Sequence, residues 1–481
     1  MNTDFERFIH FSKRLLPVIP SLIVAGNGNS QEIKKLPNIV IIMADDHASH
    51  AISAYGSTIN STPNIDRLAK EGVMFTNAFC TNSISAPSRA VILTGKYSHI
   101  NGVLDHGSNH RFNGQQETFP KMLKTAGYNT AIIGKWHLVS DPTGFDYWNI
   151  LPDQGEYFNP DMIENGITIK HKGYVTDIIT DKALQWLSNR DTTKPFCLMV
   201  HHKAVHANWE ADDKYKGLYM NSKIPEPKTF NDDFIGRTKE PANHQLFVGP
   251  SQWQLHYQYR FGEMPVQGSF QEKKEWMYQC YMKDYLECVA SLDDNVGRLL
   301  SYLDQNILFN NTIVIYTSDQ GFFLGEHGLY DKRFMYEQSI RMPLIIRYPP
   351  EIKPGSVSVR MVLNLDFAPT FLDYAGINSP VSMQGASFRM IARGLENLKW
   401  RTSMYYHFYE YAFGIGPHEG IRTERYKLIH FLYGDNDWEL YDLLNDPEEM
   451  YNIYNDPNTV KIKKKLNSEM EDLKKRYEVN K

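Results

Sequence analysis

Short apolar runs alternate with helical segments along the first 380 positions of this chain of 481 residues. The first run, residues 38–43, reads NIVIIM and is typical of a strand buried on both faces. Similar runs predict further strands at 128–134, 195–202, 312–316 and 342–348. Strands that alternate with helices predict a mostly parallel sheet with helices packed on both of its faces.

The pattern changes after about residue 380. Antiparallel strands are predicted over 404–411, 420–432 and 438–443, and a charged helix over 460–477. The predicted fold class is therefore α/β, with a large mostly parallel sheet between helices and a smaller C-terminal antiparallel α+β domain. We expect a main domain over 31–380 and a C-terminal subdomain over 381–481.

Composition and the N-terminus indicate the surroundings of the protein. The net charge of −5 argues against a general nucleic-acid binder. Lys13 and Arg14 precede an apolar stretch over 15–26, which predicts a signal peptide within residues 1–30 and export; a disordered or amphipathic tail is the alternative. No later stretch is long and apolar enough to span a membrane. The four cysteines lack C-x-x-C spacing and are predicted to be buried thiols.

Charged or polar residues follow four of the predicted strands. They are Asp45 and Asp46, then Lys135 and His137, then His201, His202 and His206, and finally Asp319 and Gln320. Ligands bind at the carboxyl ends of the strands in an open α/β sheet, so we expect a site there. Two consecutive carboxylates just past a buried strand favour metal binding over a solvated turn. Spacing alone does not decide which of the three histidines serves the site.

A pentapeptide between the first two of these positions, Ser85-Ala86-Pro87-Ser88-Arg89, predicts the start of a helix. Pro87 fixes one backbone angle, and the apolar run that follows ends at Gly95. Ser85 would lie just before the helix N-terminus, where backbone N–H groups favour an anion. Taken alone, the five residues are better explained by an ordinary serine-rich helix cap.

The pentapeptide also resembles the maturation signature of the type I, formylglycine-dependent sulfatases: Cys or Ser, any residue, Pro, Ser or Ala, Arg. The order and spacing of the strand-end motifs resemble that family over nearly the whole chain. The resemblance implies an alkaline-phosphatase-like fold, with 31–380 as the catalytic sulfatase domain. It also implies that a formylglycine-generating maturase oxidises Ser85 to the nucleophile. A serine at this position resembles the bacterial subset, which with the N-terminus implies the periplasm.

The same resemblance implies one divalent cation held by Asp45, Asp46, Asp319 and Gln320. Carboxylate and amide oxygens are hard ligands that suit Ca²⁺, the usual ion of the family, or Mg²⁺. Related phosphomonoester and phosphodiester hydrolases commonly carry His where Gln320 stands, and use it for a second, softer metal. Gln320 therefore favours a sulfatase over a phosphohydrolase.

Catalytic roles also follow from the resemblance. Arg89 and the cation hold the modified Ser85, whereas Lys135, His206 and Lys332 bind the sulfate oxygens. His206 or Lys332 protonates the leaving alcohol. His137 removes the proton whose loss expels sulfate. A sulfated-glycan binding protein without turnover is the alternative from another class, and the intact Ser85 motif argues against it.

Three segments narrow the expected substrate, a sulfated carbohydrate. Residues 202–206, 331–337 and 438–442 resemble the N-acetylglucosamine-6-O-sulfatase branch, which acts on heparan-type or keratan-type glycans. Val205 departs from the proline usual in that branch. Arg333, His418 and Arg422 are the expected substrate-binding residues. His418 and Arg422 have the alternative role of tying the two domains together.

Overall fold

One large sheet and three smaller ones hold the strands of the computed structural model, which describes residues 35–107, 111–250, 265, 267–395 and 399–479. The described strands are β1 (Asn38–Ala44), β2 (Val73–Phe75), β3 (Ala78–Phe79), β4 (Asn129–Lys135), β5 (Tyr147–Leu151), β6 (Asp161–Glu164), β7 (Ile167–Lys170), β8 (Phe196–His201), β9 (Thr312–Ser318), β10 (Phe323–Leu324), β11 (Tyr330–Asp331), β12 (Leu344–Arg347), β13 (Ser356–Ser358), β14 (Val362–Leu363), β15 (Ser403–Phe408), β16 (His418–Thr423), β17 (Tyr426–Phe431) and β18 (Trp438–Asp442).

Strand β1 occupies the middle of the large sheet, whose order over the described residues is β13-β2-β12-β9-β1-β8-β4-β5-β6-β7. It pairs in parallel with β8 and with β9, and β4 pairs in parallel with β8 and β5. Every residue of β1, β8 and β9 is buried, as expected for strands covered on both faces. The parallel core makes these strands end at one common edge of the sheet.

Helices pack in two groups. The described helices are α1 (Pro63–Glu71), α2 (Ser85–Thr94), α3 (Ser98–Asn101), α4 (Phe119–Thr125), α5 (Val175–Asn189), α6 (Lys239–Ala242), α7 (Phe270–Gln305), α8 (Glu337–Ile340), α9 (Phe367–Tyr374), α10 (Arg389–Ala392) and α11 (Val460–Arg476). Helices α1 and α5 pack against α7, whereas α2 and α4 pack against α9. The long helix α7 begins with a capping box, in which the Ser269 hydroxyl accepts from the Glu272 N–H.

The C-terminal part folds as the antiparallel sheet β15-β16-β17-β18, with α11 packed against β15 and β16. The predicted α/β fold class is confirmed. The segment 420–432 differs from its prediction as one strand, because a turn at Glu424 and Arg425 divides it into β16 and β17. The strands β5 to β7 were not predicted; β7 is exposed along its length and lacks the buried-strand pattern.

The unit Leu36–Lys481 is compact in itself. A boundary near residue 380 stays a prediction, and the predicted signal peptide lies outside the described residues. Within the described ranges, the helices lack the combination of length and apolar character that crossing a bilayer requires. Cys80, Cys197, Cys280 and Cys288 are buried thiols that form no disulfide bond in the described part of the chain, as predicted.

Candidate active site

Three carboxylates meet where β1 and β9 end. The two strands end side by side, because Ala44 pairs with Ser318 in parallel register. Asp45 and Asp46 follow the first strand and Asp319 follows the second, so that oxygen atoms of all three buried side chains lie within 4.8 Å of one another. The backbone N–H of Asp46 donates to Oδ1 of Asp319 at 3.2 Å.

Gln320 adds an amide to this acidic cluster. Its Nε2 donates to Oδ1 of Asp46, while its buried Oε1 has no hydrogen-bond partner among the described residues. Burial raises the pKa of Asp46 to about 7; Lys332 opposes this, and Asp45 and Asp319 add to it. Three crowded carboxylates and one unpartnered amide oxygen fit a hard divalent cation, whose charge would compensate the cluster.

Helix α2 begins at Ser85, beside the acidic cluster. The Ser85 hydroxyl is fully buried and donates to Oδ1 of Asp45 at 3.2 Å. Ser85 is the first residue of the helix, one position further in than predicted, and Ala86 is helical as well. The helix accommodates Pro87 because its first turn leaves backbone N–H groups without intrahelical partners in any case.

Arg89 lies one turn further along α2 and connects three strand ends. Its Nε donates to Oδ2 of Asp319 at 3.0 Å, and its Nη2 lies 3.4 Å from Oδ1 of Asp45. Its Nη1 donates to the carbonyl oxygen of Lys135 at 2.8 Å. The guanidinium is 2% exposed, so these bonds fix it in one orientation.

Lys135 ends β4 and reaches the same carboxylates. Its buried ammonium group donates to Oδ2 of Asp45 and, at 2.5 Å, to Oε1 of Gln154. Burial lowers the pKa of Lys135, against the attraction of Asp45. Burial alone would raise the pKa of Asp45, but the charges of Lys135 and Arg89 hold it well below its usual value.

His137 follows two residues later with a positive φ of 57°. Its Nε2 lies 3.2 Å from Nε2 of Gln154 and 3.5 Å from Oδ1 of Asp153. Burial, and then the charge of Lys135, lower the pKa of His137 to about 4. The imidazole is therefore neutral near pH 7 and able to accept a proton.

Lys332 and His206 both approach Asp46. The Lys332 Nζ lies 2.7 Å and 2.6 Å from the two oxygens of that carboxylate, and 3.2 Å from Oδ1 of Asp331. The His206 Nε2 lies 3.7 Å from Oδ2 of Asp46. Burial, and then the charges of Lys135 and Lys332, hold the pKa of His206 well below its usual value.

The three histidines near the end of β8 have different surroundings. The His201 Nδ1 lies 3.2 Å from the carbonyl oxygen of Lys135, and His202 is buried with no hydrogen-bond partner on either ring nitrogen among the described residues. His206 is the one that meets the acidic cluster. The structure therefore brings eleven of the predicted site residues together, either directly or through one intervening side chain. They are Asp45, Asp46, Ser85, Arg89, Lys135, His137, His206, Asp319, Gln320, Lys332 and Arg333.

The three residues predicted to bind substrate have different surroundings. Arg333 lies 3.2 Å from Oδ2 of Asp331 and 3.5 Å from Oε2 of Glu410. His418 is fully buried among aromatic rings, and its Nδ1 lies 2.9 Å from the carbonyl oxygen of Gly416. Arg333 therefore remains next to the site, whereas the contacts of His418 are those of a packed side chain.

Arg422 forms a two-pronged ion pair with Glu337 of α8. Its Nε and Nη2 donate to the two carboxylate oxygens at 3.1 Å and 3.0 Å. Lys427 lies 2.9 Å from the same carboxylate. These contacts agree with the alternative in which Arg422 ties the C-terminal sheet to the main domain; its sugar-binding role stays a prediction.

The hydroxyl of Tyr406 links two segments of the site from β15. It accepts from the backbone N–H of Ser83 at 3.2 Å and donates to the carbonyl oxygen of Arg333 at 2.6 Å. Ser83 lies two residues before Ser85, and Arg333 follows Lys332. The small sheet thereby fixes the distance between the start of α2 and the lysine-bearing loop.

Sequence reasoning missed His106, Asp153 and Gln154. The N–H of Ala86 donates to Nε2 of His106 at 3.4 Å, and the His106 ring lies 4.8 Å from that of His137. His106 is a single histidine in an irregular loop, and no sequence pattern there indicates a site residue. Asp153 and Gln154 follow β5, so recognising that strand would have identified another strand end with polar side chains.

The fold and the site define a hydrolase of the sulfatase family. The family model "Sulfatase" matches residues 37–377, and "N-sulphoglucosamine sulphohydrolase, C-terminal" matches residues 325–476. The chain belongs to the sulfatase family and is a sulfatase, which confirms the family and enzyme class predicted from the motifs.

Particular relatives refine this assignment. The chain is 45% identical to N-acetylglucosamine-6-O-sulfatase of Bacteroides thetaiotaomicron, over 98% of this chain and 92% of the relative. It is 31% identical to N-acetylglucosamine-6-sulfatase of Capra hircus, over 79% of this chain and 67% of the relative. A solved structure in complex with its substrate D-glucosamine-2-N,6-O-disulfate matches with a TM-score of 0.88 and 45% identity, over 93% of this chain and 99% of that chain. The predicted resemblance to the N-acetylglucosamine-6-O-sulfatase branch is confirmed.

Proposed function

We propose that this protein removes the 6-O-sulfate of glucosamine or N-acetylglucosamine in heparan-type glycosaminoglycans. A relative that is similar over nearly the whole chain is named N-acetylglucosamine-6-O-sulfatase, and a similar solved structure holds its substrate D-glucosamine-2-N,6-O-disulfate. The observation that carries the proposal is the position of Ser85: its hydroxyl lies 3.2 Å from Asp45, beside the cationic groups of Arg89 and Lys135. An ester with a charged sulfate group requires cations of this kind around the reacting sulfur.

Asp45, Asp46, Asp319 and Gln320 would hold one divalent cation, Ca²⁺ or alternatively Mg²⁺. The unpartnered Oε1 of Gln320 and the raised pKa of Asp46 support this assignment. The ion would supply positive charge that stabilises an oxyanion next to Ser85. Three carboxylates buried this close together repel one another, and the positive charge of such an ion would reduce the free-energy cost of their burial.

Ser85 is the residue that a formylglycine-generating maturase would oxidise. The hydrated aldehyde would supply one hydroxyl to attack sulfur and a second whose deprotonation would release sulfate. An unmodified serine would form a sulfate ester without this internal exit. Arg89 would hold the modified side chain, because its guanidinium already bridges Asp45 and Asp319.

The remaining side chains would bind the sulfate group and transfer protons during its removal. Lys135, His206 and Lys332 would bind the sulfate oxygens, since all three reach the buried carboxylates that surround the nucleophile. His206 or Lys332 would donate a proton to the leaving alcohol. His137 would accept the proton whose loss expels sulfate, in keeping with its neutral state near pH 7.

Sugar recognition would involve Arg333, which follows Lys332 and lies 3.2 Å from Asp331. His418 and Arg422, predicted for the same role, have the contacts of a packed and an ion-paired side chain. The N-terminal residues support export to the bacterial periplasm, and the organism of a close relative is a bacterium. Edman sequencing or mass spectrometry of the mature N-terminus in the native host tests export. A start beyond residue 30 is expected, and an intact Met1 would refute it.

A panel of amino-sugar monosaccharides tests the function. The panel contains the 6-O-sulfate with free, acetylated and sulfated nitrogen, the 3-O-sulfate, galactosamine 4-O-sulfate and glucosamine 6-phosphate. Sulfate release is expected from the 6-O-sulfates, and turnover of the phosphate alone would support a phosphohydrolase instead. Mass spectrometry of the peptide that contains Ser85 accompanies the assay. Loss of two hydrogens is expected; unmodified serine with binding but no turnover would support a binding protein.

A further inference from the structure

Gln154 contacts both Lys135 and His137, and we infer from this geometry that Gln154 is a positioning residue that holds the acceptor lone pair of His137 on Nε2. We further infer that Asp153 accepts a hydrogen bond from Nε2 of His137 once that nitrogen carries a proton. The inference rests on the proposed role of His137 as proton acceptor. The inference identifies Nε2 as the reacting atom of His137, and Gln154 and Asp153 as the residues that control its hydrogen bonding.

The orientation of the Gln154 amide follows from Lys135. An ammonium group has only hydrogen-bond donors, so the atom that faces it must be the carbonyl oxygen. The Lys135 Nζ lies 2.5 Å from Oε1 of Gln154. The opposite assignment would place an NH₂ group against an ammonium group, with no acceptor between them. The amide NH₂ of Gln154 must therefore point away from Lys135.

The amide NH₂ then fixes the tautomer of His137. It lies 3.2 Å from the His137 Nε2 and can only donate, so this ring nitrogen must accept. The neutral ring consequently carries its hydrogen on Nδ1, which is buried and has no hydrogen-bond partner among the described residues. The basic lone pair of His137 is thus on Nε2.

Asp153 becomes the better partner after proton transfer. Its Oδ1 lies 3.5 Å from the same Nε2, and a carboxylate can accept from that nitrogen only when a hydrogen is present. In turnover, the second hydroxyl would replace the Gln154 N–H at the Nε2 lone pair. Its proton would go to Nε2, the electrons of the broken O–H bond would form the carbonyl double bond, and sulfate would leave with the electrons of its bond to carbon. The imidazolium then donates to Asp153 before it returns the proton to water.

A tight turn holds these two residues in place. The N–H of Gly155 donates to the carbonyl oxygen of Pro152 at 2.9 Å, which closes the turn that carries Asp153 and Gln154. Gly155 has a φ of 68°, and a Cβ there would lie 2.8 Å from Cδ1 of Leu151. The turn therefore requires glycine. It starts directly after β5, whose Leu151 pairs with Lys135 of β4.

The charged groups around His137 shift its pKa in opposite directions. The groups that face it are Lys135, Asp45, Arg89, Asp153 and the ring of His106, 4.8 Å away. Burial, Lys135 and Arg89 favour the neutral ring, whereas Asp153 and Asp45 favour the protonated one. Replacing the amide of Gln154 with a carboxylate adds a third group that favours the protonated ring, 3.2 Å from Nε2.

Gln154→Glu tests the inference in the full-length, matured enzyme. Its carboxylate keeps the contact with Lys135 but accepts from a protonated Nε2, so the acidic limb of the kcat profile should move up by about one pH unit or more. At pH 4, near the pKa of His137, kcat should fall by ~5-fold or more while KM changes by less than ~3-fold. Gln154→Met removes both hydrogen bonds without adding charge, and should lower kcat without that upward movement. Gln115→Glu, on an exposed loop, adds the same charge as the control and should leave the profile unchanged.

Nitrogen-15 NMR of the histidine rings provides a readout without substrate. His137, assigned with a His137→Gln variant, should show its hydrogen on Nδ1 in the unaltered chain. A hydrogen on Nε2, or an acidic limb that Gln154→Glu leaves in place, would overturn the inference. Absence of 6-O-sulfatase activity together with hydrogen on Nδ1 would overturn the proposed function alone.

Discussion

The ammonium group of Lys332 lies 2.6 Å and 2.7 Å from the two oxygens of Asp46, although 286 positions separate the two residues in the chain. Both side chains are almost completely buried. Attraction to Asp46 outweighs burial and raises the pKa of Lys332. This pair connects the loop after β11 to the end of β1, and it places a cation next to the proposed ligands of the metal.

Ser85→Ala should abolish sulfate release while the fold persists. The change removes the only atom at this position that a maturase can oxidise, whereas it deletes one hydrogen bond to Asp45, worth about 1 kcal/mol. Turnover of a glucosamine 6-O-sulfate and thermal unfolding measure the two effects. Ser85→Cys is the matched control, because cysteine is the other residue of the signature and should be active in a host that modifies it. Retained activity in the alanine variant would remove Ser85 from the mechanism.

Removal of divalent cations should lower both activity and the midpoint of thermal unfolding. Asp45, Asp46 and Asp319 are buried within 4.8 Å of one another, and an ion would oppose their repulsion in addition to Arg89, Lys135 and Lys332. An ion at ~100 times its Kd stabilises the folded state by about 2.7 kcal/mol. Unfolding is measured after exhaustive chelation and again after Ca²⁺ or Mg²⁺ is restored. Identical midpoints and identical activity in all samples would contradict the proposed metal site.

Arg422→Met should reduce stability rather than substrate affinity. It breaks a buried ion pair with Glu337, which costs about 3 kcal/mol because Lys427 still compensates part of the carboxylate charge. KM for a glucosamine 6-O-sulfate, measured well below the unfolding midpoint, should stay within ~2-fold of its original value.

Arg333→Met provides the comparison, with a rise in KM of about tenfold expected for the loss of a charged hydrogen bond to substrate. An unchanged unfolding midpoint and a raised KM for Arg422→Met would instead restore its predicted sugar-binding role.

Glu419 should make stability depend on pH in the acid range. Burial raises its pKa, but bonds from His430, Tyr405 and Lys474 outweigh this and lower it to about 2. Because the folded-state pKa lies below the unfolded value, the stabilisation is complete above about pH 5 and is lost as the pH falls toward 2. Glu419→Gln should therefore cost about 2–3 kcal/mol at pH 7 and much less at pH 3. Denaturant unfolding at both pH values measures this, with exposed Glu424→Gln as the control. An equal cost at both pH values would contradict the assignment.

The strand ends were predictable from sequence because their signal is local. An apolar run followed by Asp45 and Asp46 specifies both a buried strand and the polar residues at its end, and the parallel arrangement then brings Asp319 to the same place. The start of α2 at Ser85 was predicted to within one residue, for Pro87 and the following apolar residues determine it locally.

The residues that sequence reasoning missed depend on contacts between distant segments. Gln154 acquires its significance only because β5 lies beside β4, a pairing that no local pattern specifies. His106 reaches Ala86 from an irregular loop. The ion pair between Arg422 and Glu337 joins residues 85 positions apart, and either a sugar or a carboxylate would suit the same guanidinium.

The phenol of Tyr406 has a consequence for how such enzymes diverge. One oxygen atom from the small sheet holds the peptide before Ser85 and the peptide after Lys332 at the same time. If the C-terminal segment were exchanged for another, the new segment would have to bring a hydroxyl to the same point. Without it, Ser85 and Lys332 would no longer be held in a fixed position relative to each other. The small sheet is accordingly a part of the reaction centre that evolution can replace only as a unit, even though it contributes none of the proposed ligands of the metal.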